Sequence, residues 1–212
     1  MECEMAKGKN FSAVAKTWDE KPQRLELAVA VAAAIRENIP LDRQMEALEF
    51  GSGTGLVTFH LQQQLKHVTA MDSAAGMLAV VEEKALAANV DNVSTQHNDT
   101  TIPSLAREGY GFIFSSMVLH HVCNIDSTLK ALIAGLKTGG VLALADLVME
   151  DGSFHDNDQV VEHHGVDPAW LIDQLYEMGL TNARSVIAHR IVKQRGLKRH
   201  TYPVFLVWAY KE

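Results

Sequence analysis

MEALEFGSGTG, residues 45–55, is the stretch on which the fold turns. Met45 to Phe50 reads as a strand, Gly51-Ser52-Gly53-Thr54-Gly55 as the turn that closes it, and Thr54 to Leu65 as the helix that follows. Strand, glycine turn and helix in that order predict the first crossover of a parallel sheet, in which ligands bind beyond the carboxyl ends of the strands. Glycine serves such a turn by adopting positive φ and by letting the backbone approach a ligand with no Cβ between them. The spacing is G-x-G-x-G. Counted from Gly51, the third glycine of the dinucleotide fingerprint G-x-G-x-x-G falls on Leu56, and the Lys-Ser/Thr ending of a phosphate-cradling loop is absent. Glu49 stands just ahead of the turn, where its carboxylate can accept hydrogen bonds from backbone donors or from an ammonium group.

Downstream, His67 to Met71 predicts the second strand, and Asp72 ends it 21 residues beyond Gly51. A carboxylate there can accept both hydroxyls of a ribose. The alternative is that Asp72 caps the next helix, Ala74 to Ala88, a part that Ser73 could play instead. Strands at Val93–His97, Gly111–Ser116 and Val141–Met149 follow, with a helix from Ile125 to Leu136 that ends near Gly139-Gly140. Upstream, Phe11 to Trp18 predicts a short helix and Gln23 to Asn38 a longer one closed by Pro40. Pro168 to Met178 is a helix with Asp167 as N-cap and Gly179 as its stop. The chain then changes character. Ser185–Val192 and Tyr202–Tyr210 are strand-like and joined by a polar turn around Gly196, with no helix between them, so they pair antiparallel. The expected architecture is α/β: a doubly wound, mostly parallel seven-stranded sheet with an antiparallel C-terminal edge.

Composition sets the limits. The 212 residues suit one domain, and a hydrophobic content of 47% supplies its core. A net charge of −7 leaves no basic excess to neutralise phosphates, which argues against nucleic acid or a membrane surface as a partner. Lys193, Arg195, Lys198 and Arg199 around Gly196 read as a solvated hairpin tip. The two cysteines, Cys3 and Cys123, suggest no disulfide framework, which fits a reducing cytoplasm. Met1 to Asn10 lacks a signal-peptide pattern. The longest apolar run, Leu27 to Ile35, falls far short of the roughly 18–20 residues of a membrane span, so none is expected.

LEFGSGTG (48–55), MDSAAGML (71–78), HNDTT (97–101), GFIFSSMVLHHV (111–122) and LKTGGVLALADL (136–147) together resemble the class I S-adenosylmethionine-dependent methyltransferases. The likeness is particularly to the small-molecule group typified by the ubiquinone/menaquinone-biosynthesis enzymes. It runs from Phe11 onward and implies the Rossmann-like methyltransferase fold, whose last strand inserts antiparallel. It also implies a single domain over 1–212, with a helical cap over 1–40 and a core over 41–212. The cofactor it implies is S-adenosylmethionine, with S-adenosylhomocysteine as product. Glu49 with Gly51, Ser52, Gly53 and Gly55 would hold the methionine moiety, and Asp72 the ribose, with Ser73 and Met77 beside it. Asp99, between Asn98 and Thr100, would meet the adenine amine, and the backbone carbonyls of Ser115 and Ser116 would approach the ammonium group. The fourth strand ends in serines, where the magnesium-dependent catechol-type enzymes carry an acidic ligand, so no metal is implied. It also lacks the N/D-P-P-Y/F pattern of enzymes that methylate amino groups on bases.

Methyl transfer from a sulfonium is an in-line displacement on an activated donor, so alignment and exclusion of water come first. A base is needed only where the acceptor carries a proton that must leave. His121, His120 and His155 are the candidates, with an ordinary histidine pKa of about 6.5 suited to the task. His163-His164 is a further pair, and a hydrogen-bonded structural role is the alternative for each histidine. A metal cluster of these histidines with Asp146 lacks any short ligand spacing such as H-E-x-x-H. Glu150 to His155 reads as wall or lid of an acceptor pocket, or as an ordinary surface loop. Phe11 and Trp18 either close over the cofactor or pack against the domain body. The expected activity is methyl transfer to a small-molecule acceptor. The alternatives are a nicotinamide-dinucleotide oxidoreductase, which Leu56 and the antiparallel end disfavour, and a cofactor-binding protein without catalysis.

Overall fold

Ala47, Leu48, Glu49 and Phe50 are all buried, as a strand must be when helices cover both faces of its sheet. In the computed structural model, which describes residues 11–98, 100, 102–155 and 161–212, this strand is β1, Glu46–Phe50. Asp99, Cys3 and the rest of Met1 to Asn10 lie outside the described residues, and so do the expectations attached to them. Ahead of β1 come α1 (Phe11–Val14), a 3₁₀ segment (Ala15–Glu20) and α2 (Pro22–Asn38). After it come α3 (Leu56–Leu61), β2 (His67–Asp72), α4 (Ala75–Ala87), β3 (Val93–His97), β4 (Tyr110–Ser116), α5 (Ile125–Gly135), β5 (Leu136–Leu147), α6 (Pro168–Glu177), β6 (Leu180–Arg195) and β7 (Lys198–Lys211).

The sheet has seven strands in the order β3-β2-β1-β4-β5-β7-β6. β1, β2, β3, β4 and β5 run parallel, and β7 pairs antiparallel with both β5 and β6. The order reverses between β1 and β4, where Leu48 pairs with Ile113 and Phe50 with Ser115. The crevice beyond their carboxyl ends is therefore the topological switch point, the place such sheets offer to a ligand.

Alternation sorts the side chains into two layers. Ala47, Phe112, Phe114, Ala143, Ala145, Leu206 and Trp208 pack with α2 and α3. Leu48, Phe50, Ile113, Leu142, Leu144, Phe205 and Val207 pack with α5 and α6. Phe112 and Phe114 stack with ring centroids 4.9 Å apart. The caps behave as the sequence suggests: Asp167 accepts a hydrogen bond from the Ala169 N–H, and Gly179 takes φ +86°.

Two departures from these expectations stand out. α5 ends at Gly135, ahead of Gly139-Gly140, and a Cβ at Gly135 would lie 2.9 Å from the Leu105 side chain. β5 starts at once, and its pairing with β4 shifts register between Tyr110 and Phe112. The terminal hairpin is far longer than the two strand-like runs suggest. β7 leaves β5 at Val204, while its pairing with β6 continues to Lys198 opposite Arg195, so a two-stranded arm projects past the sheet. Among the described residues no helix is long and apolar enough to cross a membrane.

Candidate active site

The glycine turn is held from below by β2. The N–H groups of Gly51 and Ser52 both donate to the Met71 carbonyl, at 2.8 and 2.9 Å. Gly51, Gly53 and Gly55 have φ of +70°, +54° and +76°. Each glycine answers a different neighbour. A Cβ at Gly51 would run into the Val118 side chain, and one at Gly55 would press on Phe59 and Val81 at 3.2 Å. A Cβ at Gly53 would meet nothing within 4 Å, so the open space lies over Gly53.

Asp72 joins the turn to the second crossover. Its Oδ2 accepts from the Gly53 N–H at 2.7 Å and its Oδ1 from the Ala74 N–H at 2.8 Å. The N-cap of α4 is Ala74, so neither Asp72 nor Ser73 caps that helix. Burial raises the Asp72 pKa, and the backbone donors and His97 pull it back. A carboxylate offers about four lone-pair sites, so two backbone donors leave room for a ligand's hydroxyls.

Glu49 lies on the layer facing α3, where its Oε2 accepts a short hydrogen bond from the Thr58 hydroxyl. Its partner is thus a side chain on α3. Burial pushes its carboxyl up to about 8, against the pull of Thr58 and with a further upward push from Asp72. Ser52 Oγ is buried with no hydrogen-bond partner among the described residues. Ser115 Oγ donates to the Phe50 carbonyl at 2.7 Å, tying the ends of β4 and β1 together. Ser73 follows Asp72, and its carbonyl accepts from His97 Nε2 at 3.0 Å. Thr100 is exposed and bonded within its own loop, to Asn98 Oδ1 and the Ile102 carbonyl.

The N-terminal segment covers this region. Ser12 Oγ accepts from the Gly76 N–H at 3.1 Å. Asp19 accepts from Thr54 Oγ1 at 2.6 Å and pairs with Lys84 Nζ at 2.5 Å, and Lys84 also donates to the Thr54 carbonyl. Met77 is buried with Ala15 and Ala74, with Phe11, Val14 and Trp18 packed against them. Asp19 and Lys84 escape sequence reasoning because no spacing rule links residues so far apart.

Across the switch point, β4 leads through Met117, at φ +61°, into a 3₁₀ turn, Leu119–His121. His120 is 1% exposed and Asp146 of β5 is 0% exposed. His120 Nδ1 lies 2.6 Å from Asp146 Oδ1. Burial raises the Asp146 pKa, but the His120 charge and the hydrogen bonds from His120 and Leu147 outweigh it and hold the pKa low. The His121 ring centroid is 4.1 Å from that of His120, and the His155 centroid is 5.1 Å from His120 and 5.8 Å from His121. Phe11 reaches His121 at 5.7 Å, so the N-terminal segment touches both halves of the site.

The three expected histidines therefore converge. His163 stands apart, donating from Nε2 to the Val122 carbonyl, and His164 lies 3.8 Å from Glu150. Among the described residues no group of three or more His, Cys, Asp or Glu is arranged to hold a metal. The loop bearing His155 is clasped by the terminal arm. Lys193 and Arg195 both donate to the Phe154 carbonyl, and Lys193 Nζ sits 3.5 Å over the Phe154 ring. Those two cations are part-buried braces, which corrects the reading of the whole basic stretch as a solvated tip.

Comparison with known proteins agrees with this layout. The sequence profile of a methyltransferase-domain family matches residues 47–140. The chain is 27% identical over 157 residues to an uncharacterized methyltransferase of Schizosaccharomyces pombe, covering 67% of this chain and 55% of that protein, so it spans about half the relative's length. The fold matches an S-adenosylmethionine-dependent methyltransferase from Aquifex aeolicus with a TM-score of 0.68 at 21% identity, over 93% of this chain and 97% of that one. It also matches phosphoethanolamine N-methyltransferase 2 of Haemonchus contortus, in complex with S-adenosyl-L-methionine. There the TM-score is 0.70 at 12% identity, over 95% of this chain and 60% of that one. Residues 47–140 thus match a methyltransferase domain, and the strand order, the glycine turn and the acid at the end of β2 give the chain the fold of S-adenosylmethionine-dependent methyltransferases.

Proposed function

We propose that the protein binds S-adenosylmethionine over its glycine turn and catalyses methyl transfer to a small-molecule acceptor beside the three histidines. The observation that carries this reading is the juxtaposition across the switch point. On one side lie a turn with open space over Gly53, a partnerless buried hydroxyl at Ser52 and the Asp72 carboxylate. On the other lie His120, His121 and His155.

These residues fit the group. The carboxylate of Asp72 suits ribose hydroxyls, and Ser52 and the turn's backbone suit the amino-acid end. Met77 and Ser73 flank the nucleoside side, with Asp99 and Thr100 assigned to the adenine and Ser115 to the end of β4 nearest the ammonium group. Glu49 contributes through the α3 side, by its negative charge when ionised. When bound, S-adenosylmethionine supplies a methyl on a positively charged sulfur. The chain then aligns the acceptor with that methyl, excludes water and takes up a proton where the acceptor carries one. An imidazole of the cluster suits that last part, because its ordinary pKa lies near neutral pH. Phe11, packed with Trp18 over Met77 and against His121, excludes water from both halves.

Two measurements test the reading. Isothermal titration with S-adenosylhomocysteine and with NADH separates the cofactors: binding of NADH alone would overturn the assignment. Release of S-adenosylhomocysteine during incubation of S-adenosylmethionine with a broad panel of small acceptors then tests catalysis. The expected result is turnover on at least one acceptor. In His155→Ala, turnover falls at least tenfold while affinity for S-adenosylhomocysteine stays within twofold. Equal, negligible effects would place His155 outside the site.

A further inference from the structure

His120 is held at three points. Its backbone N–H donates to Asp146 Oδ2 at 3.3 Å, its Nδ1 to Asp146 Oδ1 at 2.6 Å, and its carbonyl accepts from the N–H groups of Glu162 and His163 at 3.2 and 3.1 Å. Asp146 Oδ1 also accepts from the Leu147 N–H at 2.7 Å, so both carboxylate oxygens are committed. A buried carboxylate is costly to desolvate, and hydrogen bonds to it offset most of that cost rather than add to stability. It does restrict geometry. With its Nδ1–H on a carboxylate, a neutral imidazole carries its lone pair on Nε2 and cannot turn over. The His121 ring rests against this fixed ring, and the His155 ring lies next to both.

We propose that Asp146 is the positioning residue for proton removal: it holds the His120 ring in one tautomer and orientation, and through that ring sets the imidazoles of His121 and His155 at the methyl acceptor. The inference rests on the methyl-transfer reading above. In the reaction it serves, the acceptor atom gives its proton to an imidazole nitrogen and uses the freed electron pair to take the methyl. The carbon–sulfur bond breaks with its electrons left on sulfur, so the sulfonium becomes a neutral thioether. The imidazole gains a positive charge, and the Asp146 carboxylate beneath the cluster stabilises that charge as it develops.

The test uses the full chain as wild type, as Asp146→Asn and as His120→Asn. In the wild type, proton NMR should show a strongly downfield imidazole N–H, absent from both variants. Both variants should keep S-adenosylhomocysteine affinity within twofold, while kcat on an acceptor found in the panel falls about 100-fold, with its KM changed only a few-fold. Should Asp146→Asn fail to fold, His120→Asn alone carries the test, because it removes the ring and leaves the carboxylate a hydrogen-bond donor. A folded variant with unchanged kcat overturns the proposal, as does a loss of cofactor affinity as large as the loss of kcat, which is what a merely structural pair would give. A wild type that methylates no acceptor overturns the methyl-transfer reading itself. An active wild type beside an equally active Asp146→Asn removes only the role of Asp146.

Discussion

Two carboxylates beside the glycine turn behave in opposite ways toward a ligand. Asp72 spends each oxygen on one backbone N–H, from Gly53 and Ala74, and keeps lone pairs for hydroxyls. Hydrogen bonds to a charged acceptor are worth ~1.5–3 kcal/mol each. Asp72→Ala is therefore expected to weaken S-adenosylhomocysteine binding at least tenfold by calorimetry, and an unchanged affinity would confine Asp72 to holding the turn. Glu49 faces Thr58, and burial pushes its carboxyl from an ordinary 4.5 to about 8. The folded chain thus holds a proton on Glu49 that the unfolded chain releases between those two values. The resulting stability is fully present below pH 4.5 and is lost as pH rises through about 8. The melting temperature of the wild type should fall over that window. In Glu49→Gln the fall should be shallower, though not abolished, because the Asp72 carboxyl is shifted the same way. Parallel wild-type and variant melting curves across the window would remove Glu49 from this account.

At the scale of elements, the N-terminal segment and the terminal arm each grip one half of the candidate site. The first is docked by Ser12 on Gly76, by Asp19 on Thr54 and Lys84, and by the Arg24 guanidinium stacked 3.5 Å over Trp18. A Cβ at Gly76 would lie 2.7 Å from the Ser12 carbonyl oxygen and 2.8 Å from its Cα, and backbone cannot step aside as a flexible side chain can. Overpacking of this kind costs about 1–3 kcal/mol. Gly76→Ala should lift the segment, seen as faster hydrogen exchange over residues 11–20 and faster release of S-adenosylhomocysteine. Exchange unchanged from the wild type would show that the segment docks without this contact. The arm acts on the other half. Lys193→Ala removes one of the two donors to the Phe154 carbonyl and the cation above its ring. A loss of about 1 kcal/mol in stability is expected. Turnover should fall more than cofactor affinity, because the braced loop carries His155; equal losses would detach the arm from the acceptor side.

Over the whole molecule, one sheet carries both halves of the candidate site, so the core and the proposed site share their supports. Phe205 is fully buried in β7, paired with Asp146, and packs in the layer with α5 and α6. Phe205→Ala should cost about 3–5 kcal/mol by chemical denaturation; a loss under 1 kcal/mol would mean that the layer collapses to fill the space. Much of this architecture was legible in the sequence. Strand, turn and helix at Met45–Leu65, the acid at Asp72, the cap at Asp167 and the stop at Gly179 each depend on a few neighbouring residues and on a period of two or 3.6. The missing glycine at Leu56 and the antiparallel end were legible for the same reason. The start of β5 at Leu136 and the length of the arm were not, because strand ends are set by what pairs across the sheet. Asp146 enters the sequence reading only as a conceivable metal ligand that lacks a ligand spacing, and Lys84 as one charge on a helix. Only the folded chain brings Asp146 under His120, Asp19 onto Lys84 and Phe11 against His121. The amino-acid sequence by itself determined the turn and the sheet that carry the candidate cofactor site, because local conformational preference and alternation are written within short windows. The tertiary structure alone decided which histidines meet and what covers them, because those contacts join residues from separate crossovers and only packing brings them together.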